Sequence, residues 1–316
     1  MWREWLRRAG LAHEPEIVER RYREEVLGEL LALGVEPEVI PNAGATSNGY
    51  MIYPYLFHGC FPEIPLAIYR ELAVISRIYL SQVVLLDQLF DGDLATRRQP
   101  WLAAQWLLQE ATRRFQRLLP PESPFWSDHA AIWRSYHAAM ALEYRHTGRL
   151  IPYPREEFLQ TTAGIFSPAK LITSALSTLA DRRELLPVLH EAQDLAAAVD
   201  QIVDDLDDWR ADLRNRRYSF FLTGALERLA MPNPEEVTEE DLAEVIYLQG
   251  YYEEFAEYGI QLVEALADRA ARLNSSGWVW AVSALRDKLT GRLRAMRRVR
   301  QRLGDPGTLR GALINQ

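Results

Sequence analysis

Apolar positions recur along most of this chain at the three- and four-residue spacing of a helix, and almost nowhere at the alternating spacing of a strand. Glu14–Leu33 opens on acidic residues and carries Val18, Tyr22, Val26 and Leu30 at helical spacing, which predicts a helix with one buried stripe. Leu66–Phe90 is apolar on most faces, so it is expected to be a buried central helix. Further helices are predicted over Gln99–Leu119, Pro124–His146, Arg155–Leu179, Pro187–Ala211, Glu239–Leu273 and Ser276–Leu303. Turn signals such as PPESP, HTGRLIPYP and MPNP separate them. Pro41–Pro65 reads as irregular, yet its tyrosines and phenylalanines make it too aromatic for a solvated linker. The tail after Gly304 reads as loose. Long helices, short turns and no fixed-period repeat predict an all-α protein, a single large helical bundle forming one domain over residues 1–316.

Composition narrows the function classes. The chain is 48% hydrophobic and 25% charged, ordinary for a folded protein. A net charge of −8 argues against nucleic acid as a partner. The single cysteine, Cys60, allows no internal disulfide and no cysteine-built zinc site. The N-terminus is charged throughout, and no window approaches the roughly 20 apolar residues of a spanning helix. No membrane insertion is therefore expected, and a cytoplasmic location is. The six histidines form no zinc-type spacing, and no nucleotide-binding glycine loop occurs. The basic Arg292–Arg302 segment reads as a solvated face.

Two acidic segments remain. In LLDQLFDGD, Asp87 and Asp91 share one face at the end of the central helix, where the helix dipole disfavours carboxylates unless a cation compensates. A solvated helix end entering a polar loop is the alternative. In VDQIVDDLDDWRADL, Asp204, Asp208 and Asp212 form one stripe at four-residue spacing, with Gln201 inside it and Asp205 at its edge. Like charges so spaced repel, which makes a plain surface a poor explanation. Mg²⁺ takes oxygen ligands and commonly bridges one or two carboxylates to substrate phosphates.

These motifs resemble those of the class I isoprenoid synthases. Gln201-Ile-Val-Asp204-Asp205-Leu-Asp207-Asp208 fits the second motif of trans-prenyltransferases, Q-x-x-D-D-x-x-D, at every defined position, and Asp204, Asp208 and Asp212 also fit the metal triad spacing of terpene cyclases. The following RNRRYS is similar to the basic-aromatic segment of squalene and phytoene synthases. The first motif departs from the family: DQLFDGDLATRRQPW keeps Asp87, Asp91, Arg97, Arg98 and Pro100, but Gln88 stands for the second aspartate. The stretch PNAGATSNGYMIYPYLF lacks the basic anchor that chain-elongating enzymes use for isopentenyl diphosphate, and Thr161-Thr162 lacks their lysine.

The resemblance implies an all-α bundle around a central apolar cavity and a cluster of several Mg²⁺ ions bound with a prenyl diphosphate. Asp87, Asp91, Asp204, Asp208 and Asp212 would be the metal ligands, held on two helix ends that face each other. Gln201 would orient a metal-bound water or a neighbouring carboxylate. Arg217 and Tyr218 would meet the diphosphate, with Arg98 and Lys170 as further donors; for each basic residue an ordinary ion pair is the alternative. Phe90, Tyr79, Phe166, Phe57 and Trp209 are candidates for steering the carbocation, or else plain core. The missing anchor favours a one-substrate terpene synthase, ionising a linear prenyl diphosphate and then cyclising or eliminating. A prenyl diphosphate synthase or head-to-head condensing enzyme is the alternative, and a homodimer is the implied assembly.

Overall fold

A computed structural model of the chain describes residues 2–39, 51–90, 98–229 and 236–303. Its order is α1 (Trp2–Arg8), α2 (Glu14–Tyr22), α3 (Gly28–Ala32), α4 (Leu66–Phe90), α5 (Arg98–Leu118), α6 (Phe125–Arg145), α7 (Arg155–Ile165), α8 (Lys170–Leu179), α9 (Leu186–Arg214), α10 (Phe220–Leu229), α11 (Glu239–Ala243), α12 (Tyr251–Ala270) and α13 (Ser276–Leu303). Among the described residues there is no strand, only an isolated antiparallel bridge between Thr147 and Arg217. No described helix is long and apolar enough to cross a membrane.

The central helix and the last one run as predicted, Leu66–Phe90 and Ser276–Leu303. The predicted Glu14–Leu33 helix is continuous but widens to π geometry over Arg23–Leu27. Two long predicted helices are broken. Arg155–Leu179 divides around Phe166 and a 3₁₀ turn at Ser167–Ala169, because Pro168 has no N–H to continue the ladder. Glu239–Leu273 divides at Gly250, whose φ of 85° is left-handed backbone that a glycine adopts without a Cβ clash. Helices α1 and α10 went unpredicted.

The chain forms two compact units, each assembled from three stretches: Met1–Ala130, Pro168–Leu186 and Leu273–Trp280 in unit one, and Ala131–Ser167, Pro187–Arg272 and Ala281–Gln316 in unit two. In unit one, α4 packs along α5 and α2. Its core includes Phe57 stacked on Trp278 at 5.0 Å and Tyr55 stacked on Tyr69 at 5.7 Å. Beside these rings lies an ionic network. Arg114, its side chain 3% exposed, reaches Glu110, Glu71 and Glu25, and Arg21 closes the circuit through Glu25 and Glu71.

Unit two has an aromatic core in which Phe158 stacks on Phe220 at 4.6 Å and Phe221 on Tyr251 at 5.0 Å. Helices α6 and α7 approach closely at Gly164, where a Cβ would collide with the Ala139 side chain and come within 3.0 Å of the Ser135 carbonyl. Gly164→Ala is expected to cost about 1–3 kcal/mol through overpacking. A urea midpoint unchanged from the parent would show that the two helices can slide apart freely.

Candidate functional site: the aspartate stripe of unit two

Helix α9 is 29 residues long and places its acidic run in its second half. Burial alternates there in helical rhythm. Ile202, Val203, Leu206 and Trp209 face the core, while Asp204 and Asp208 are exposed and Asp212 is half-buried. A rise of about 1.5 Å per residue sets successive stripe carboxylates roughly 6 Å apart along the axis.

Two aspartates outside the stripe have cationic partners. Asp207 is held by Arg292 of α13, with Nε 3.0 Å from Oδ1 and Nη2 on the other oxygen. Asp200 lies 4.0 Å from Nζ of Lys288. Among the described residues, Asp204, Asp208 and Asp212 have no such ion pair. Arg297 and Arg300 of the same basic helix pair with Glu257 and Glu253, so Arg292, Arg297 and Arg300 of that segment are each committed to a carboxylate.

Asp205 is the buried member, 3% exposed. Gln201 donates from Nε2 to its Oδ1 at 2.8 Å, and the Phe221 backbone N–H donates to its other oxygen at 3.4 Å. Gln201 thus spends its side-chain amide N–H on a neighbouring carboxylate. Asp205 pins the start of α10 to α9, a function that its place at the stripe's edge did not reveal.

Although Asp204 is exposed at the surface, crowding by the helices around it partly desolvates its carboxyl and pushes it up to about 6, reinforced by the negative charges of Asp200 and Asp208. Burial does the same to Asp212, up to about 6, opposed by a hydrogen bond with Ser219 and aided by Asp208. Asp205 rises to about 7, again through burial first, with Gln201 opposing. These groups therefore hold protons in the folded chain that the unfolded chain, titrating near 3.8, has already released. The metal-free protein is expected to lose stability as pH rises from about 4 to 7. A divalent cation that replaces those protons should raise the melting temperature more at pH 8 than at pH 5. Equal Mg²⁺ shifts at both values would contradict the electrostatics described.

The row suits Mg²⁺ in its donor chemistry: hard oxygens outside any ion pair among the described residues, one turn apart. No three His, Cys, Asp or Glu groups among the described residues close into a metal-holding cluster. An open row of this kind fits a metal that shares its ligands with a substrate's phosphate oxygens rather than one held in an all-protein cage.

Beyond the stripe, Arg217 and Tyr218 sit on the loop that follows α9. Arg217 N–H donates to the Asp212 carbonyl at 2.8 Å, which folds the loop back beside the last stripe residue. Gln201, Asp204, Asp208, Asp212, Arg217 and Tyr218 are thus carried by one helix and its exit loop in unit two. Phe166, half-buried at the end of α7, belongs to the same unit. Trp209 is fully buried, with Nε1 3.2 Å from the Tyr247 hydroxyl, and serves the core of unit two.

The other predicted residues belong to unit one. Asp87 lies in the last turn of α4 and Phe90 ends that helix; Asp91 lies outside the described residues. Tyr79 is buried in α4 against Phe115, Arg98 opens α5 and is exposed, and Lys170 opens α8, half-buried. Phe57 is fully buried against Trp278.

No family model matches the chain, and no curated protein matches it by sequence. Solved structures do match by shape. A polyprenyl synthase from Roseobacter denitrificans is 16% identical, with a TM-score of 0.62 over 89% of this chain and 100% of its own. A geranylgeranyl pyrophosphate synthetase from the archaeon Geoglobus acetivorans is 15% identical, with a TM-score of 0.67 over 87% and 98%. A polyprenyl synthase from Caulobacter crescentus, complexed with calcium and isoprenyl diphosphate, is 15% identical, with a TM-score of 0.64 over 86% and 97%. With its helices in this order and its aspartates on α9, the chain has the all-α fold of the class I isoprenoid synthases.

Proposed function

We propose that the chain is a Mg²⁺-dependent enzyme that ionises a linear prenyl diphosphate and passes the allylic cation to a second prenyl unit, as a prenyl diphosphate synthase does. The observation that carries this is the row Asp204, Asp208 and Asp212, in no ion pair among the described residues on a helix whose Asp200 and Asp207 are paired. Bound Mg²⁺ would supply a Lewis acid that draws charge from the departing phosphate oxygens.

The chain's own residues do the rest. The stripe carboxylates hold the metal, and Gln201 fixes Asp205 behind them. Arg217 and Tyr218 bind the diphosphate, with Arg98 and Lys170 as further donors. Asp87 and Asp91 are proposed as additional metal ligands on their sequence pattern, and Tyr79, Phe90 and Phe166 as aromatic lining for the prenyl chain. The two compact units act as one catalytic domain in this reading.

The names of the matched structures, polyprenyl and geranylgeranyl synthases, support condensation over the one-substrate reaction suggested by the altered first motif. One observation sustains cyclisation or elimination as a second reading: residues 41–57 contain no lysine or arginine to meet a second diphosphate. Incubation with farnesyl or geranylgeranyl diphosphate and Mg²⁺, with and without isopentenyl diphosphate, separates the two. A longer diphosphate appearing only with the co-substrate supports condensation. Hydrocarbon or alcohol from one substrate shifts the assignment to a terpene synthase. Absence of diphosphate release under all conditions would sink both.

A further inference from the structure

We propose that His146 is a positioning residue that clamps the Asn215–Ser219 loop so that Arg217 and Tyr218 stand beside Asp212. The proposal rests on the reading of Arg217 and Tyr218 as diphosphate contacts.

The loop combines a helix cap with an external hold. Arg216 has a φ of 53°, left-handed backbone unfavourable for a residue with a side chain, and its own N–H and that of Arg217 close the end of α9 on the Leu213 and Asp212 carbonyls. The hold comes from the turn after α6. Gly148 N–H donates to the Arg216 carbonyl at 2.8 Å, and Tyr218 N–H donates to the His146 carbonyl at 3.2 Å. Between them Thr147 and Arg217 form the isolated antiparallel bridge. This bridge aligns the backbone on both sides of Arg217.

His146 fixes the turn that makes those bonds. Its ring is 4% exposed, with Nε2 2.8 Å from Oε1 of Glu157, the carboxylate that Arg145 also reaches at 2.8 Å. Its face stacks on Tyr153 with centroids 3.8 Å apart and planes 12° from parallel. Tyr153 in turn meets the edge of Phe220, the first residue of α10, at 5.8 Å. Backbone and side chain of one histidine thereby converge on the C-terminal end of the loop, at Tyr218 directly and at Phe220 through Tyr153. Its Nδ1 has no hydrogen-bond partner, so the ring's polar contact is spent on Glu157 alone. Rigid support of this kind decides whether a binding side chain is held to within a fraction of an ångström.

The test uses the full chain and two independent readouts. Hydrogen exchange of peptides covering the loop reads the clamp directly, whether or not the enzyme turns over. In His146→Ala the loop amides are expected to exchange about tenfold faster or more, with α9 protection unchanged. In an active enzyme kcat should fall about tenfold, and that loss should largely vanish in an Arg217→Ala background, because residues that act through one another are not additive. His146→Gln, which can keep the Glu157 bond without the ring stack, should recover part of both effects. Unchanged loop exchange in His146→Ala would overturn the proposal, as would an equal loss of kcat with and without Arg217. If His146→Ala fails to fold, His146→Gln and Tyr153→Leu carry the exchange test, and wild-type loop protection in both rejects the clamp.

Discussion

Asp208→Ala is expected to slow Mg²⁺-dependent release of diphosphate by about 10²- to 10³-fold, the scale of losing a group that stabilises charge in the transition state. The same change should leave the metal-free fold intact or slightly firmer. Asp208 is exposed and in no described ion pair, and it raises the Asp204 and Asp212 carboxyls by repulsion. Removing one like charge at four-residue spacing relieves a few tenths of a kcal/mol. The expected signature is therefore a split: melting temperature without metal held or raised, turnover lost, and the Mg²⁺-induced thermal shift reduced. Asp204→Ala should behave similarly. Diphosphate release unchanged in both variants would mean that the stripe is not the metal site.

The largest stability effect is expected in unit one, at Arg114. Its guanidinium is 3% exposed and hydrogen-bonds Glu110, itself 2% exposed, at 2.7 Å. Arg114→Met leaves Glu110 to Arg113 and Arg117, whose side chains are more than half exposed. Breaking a buried pair from one side is expected to cost about 3 kcal/mol or more, because Glu110 keeps only half-exposed partners while its own carboxylate stays in a dry environment. Adding Glu110→Leu should recover much of that loss, since removing both charges also removes the desolvation penalty. Urea denaturation of the single and double variants checks both numbers. A double variant as unstable as the single one would show that the guanidinium's shape, not its charge, matters.

Local periodicity made most of the fold readable. The Leu66–Phe90 helix could be delimited because its apolar run is long and ends against polar, glycine-containing sequence. The breaks at Phe166–Pro168 and Gly250 were harder, because apolar spacing continues across both; only the backbone chemistry of Pro168 and Gly250 betrays them. The Phe220–Leu229 helix is hard to delimit from sequence because a mostly apolar run of ten residues fits a helix or a buried strand alike. The stripe was legible for the opposite reason, since its pattern lies within one helix. What makes it selective was not legible. The cations that pair with Asp200 and Asp207 come from α13, 85 residues further along in the case of Arg292. Nor does the sequence show that His146 and Tyr153 stack and reach the exit loop, since that depends on a turn.

The three-stretch assembly of unit one has a bearing on how the chain is made in the cell. Its last stretch, Leu273–Trp280, emerges late in synthesis, yet it supplies partners to the earliest residues. Trp280 stacks on Trp5, Gly277 makes room for Trp5 and Leu56, and the Ser275 hydroxyl donates to the Leu56 carbonyl across 219 positions. Until those residues leave the ribosome, Trp5, Leu56 and Phe57 lack the surfaces that cover them. At about 5–20 residues per second, that interval lasts on the order of 10 seconds or more, during which unfinished apolar surface is open to aggregation. Nascent chains stalled before Leu273 should therefore depend on chaperones, whereas chains released beyond Trp280 can bury those rings unaided.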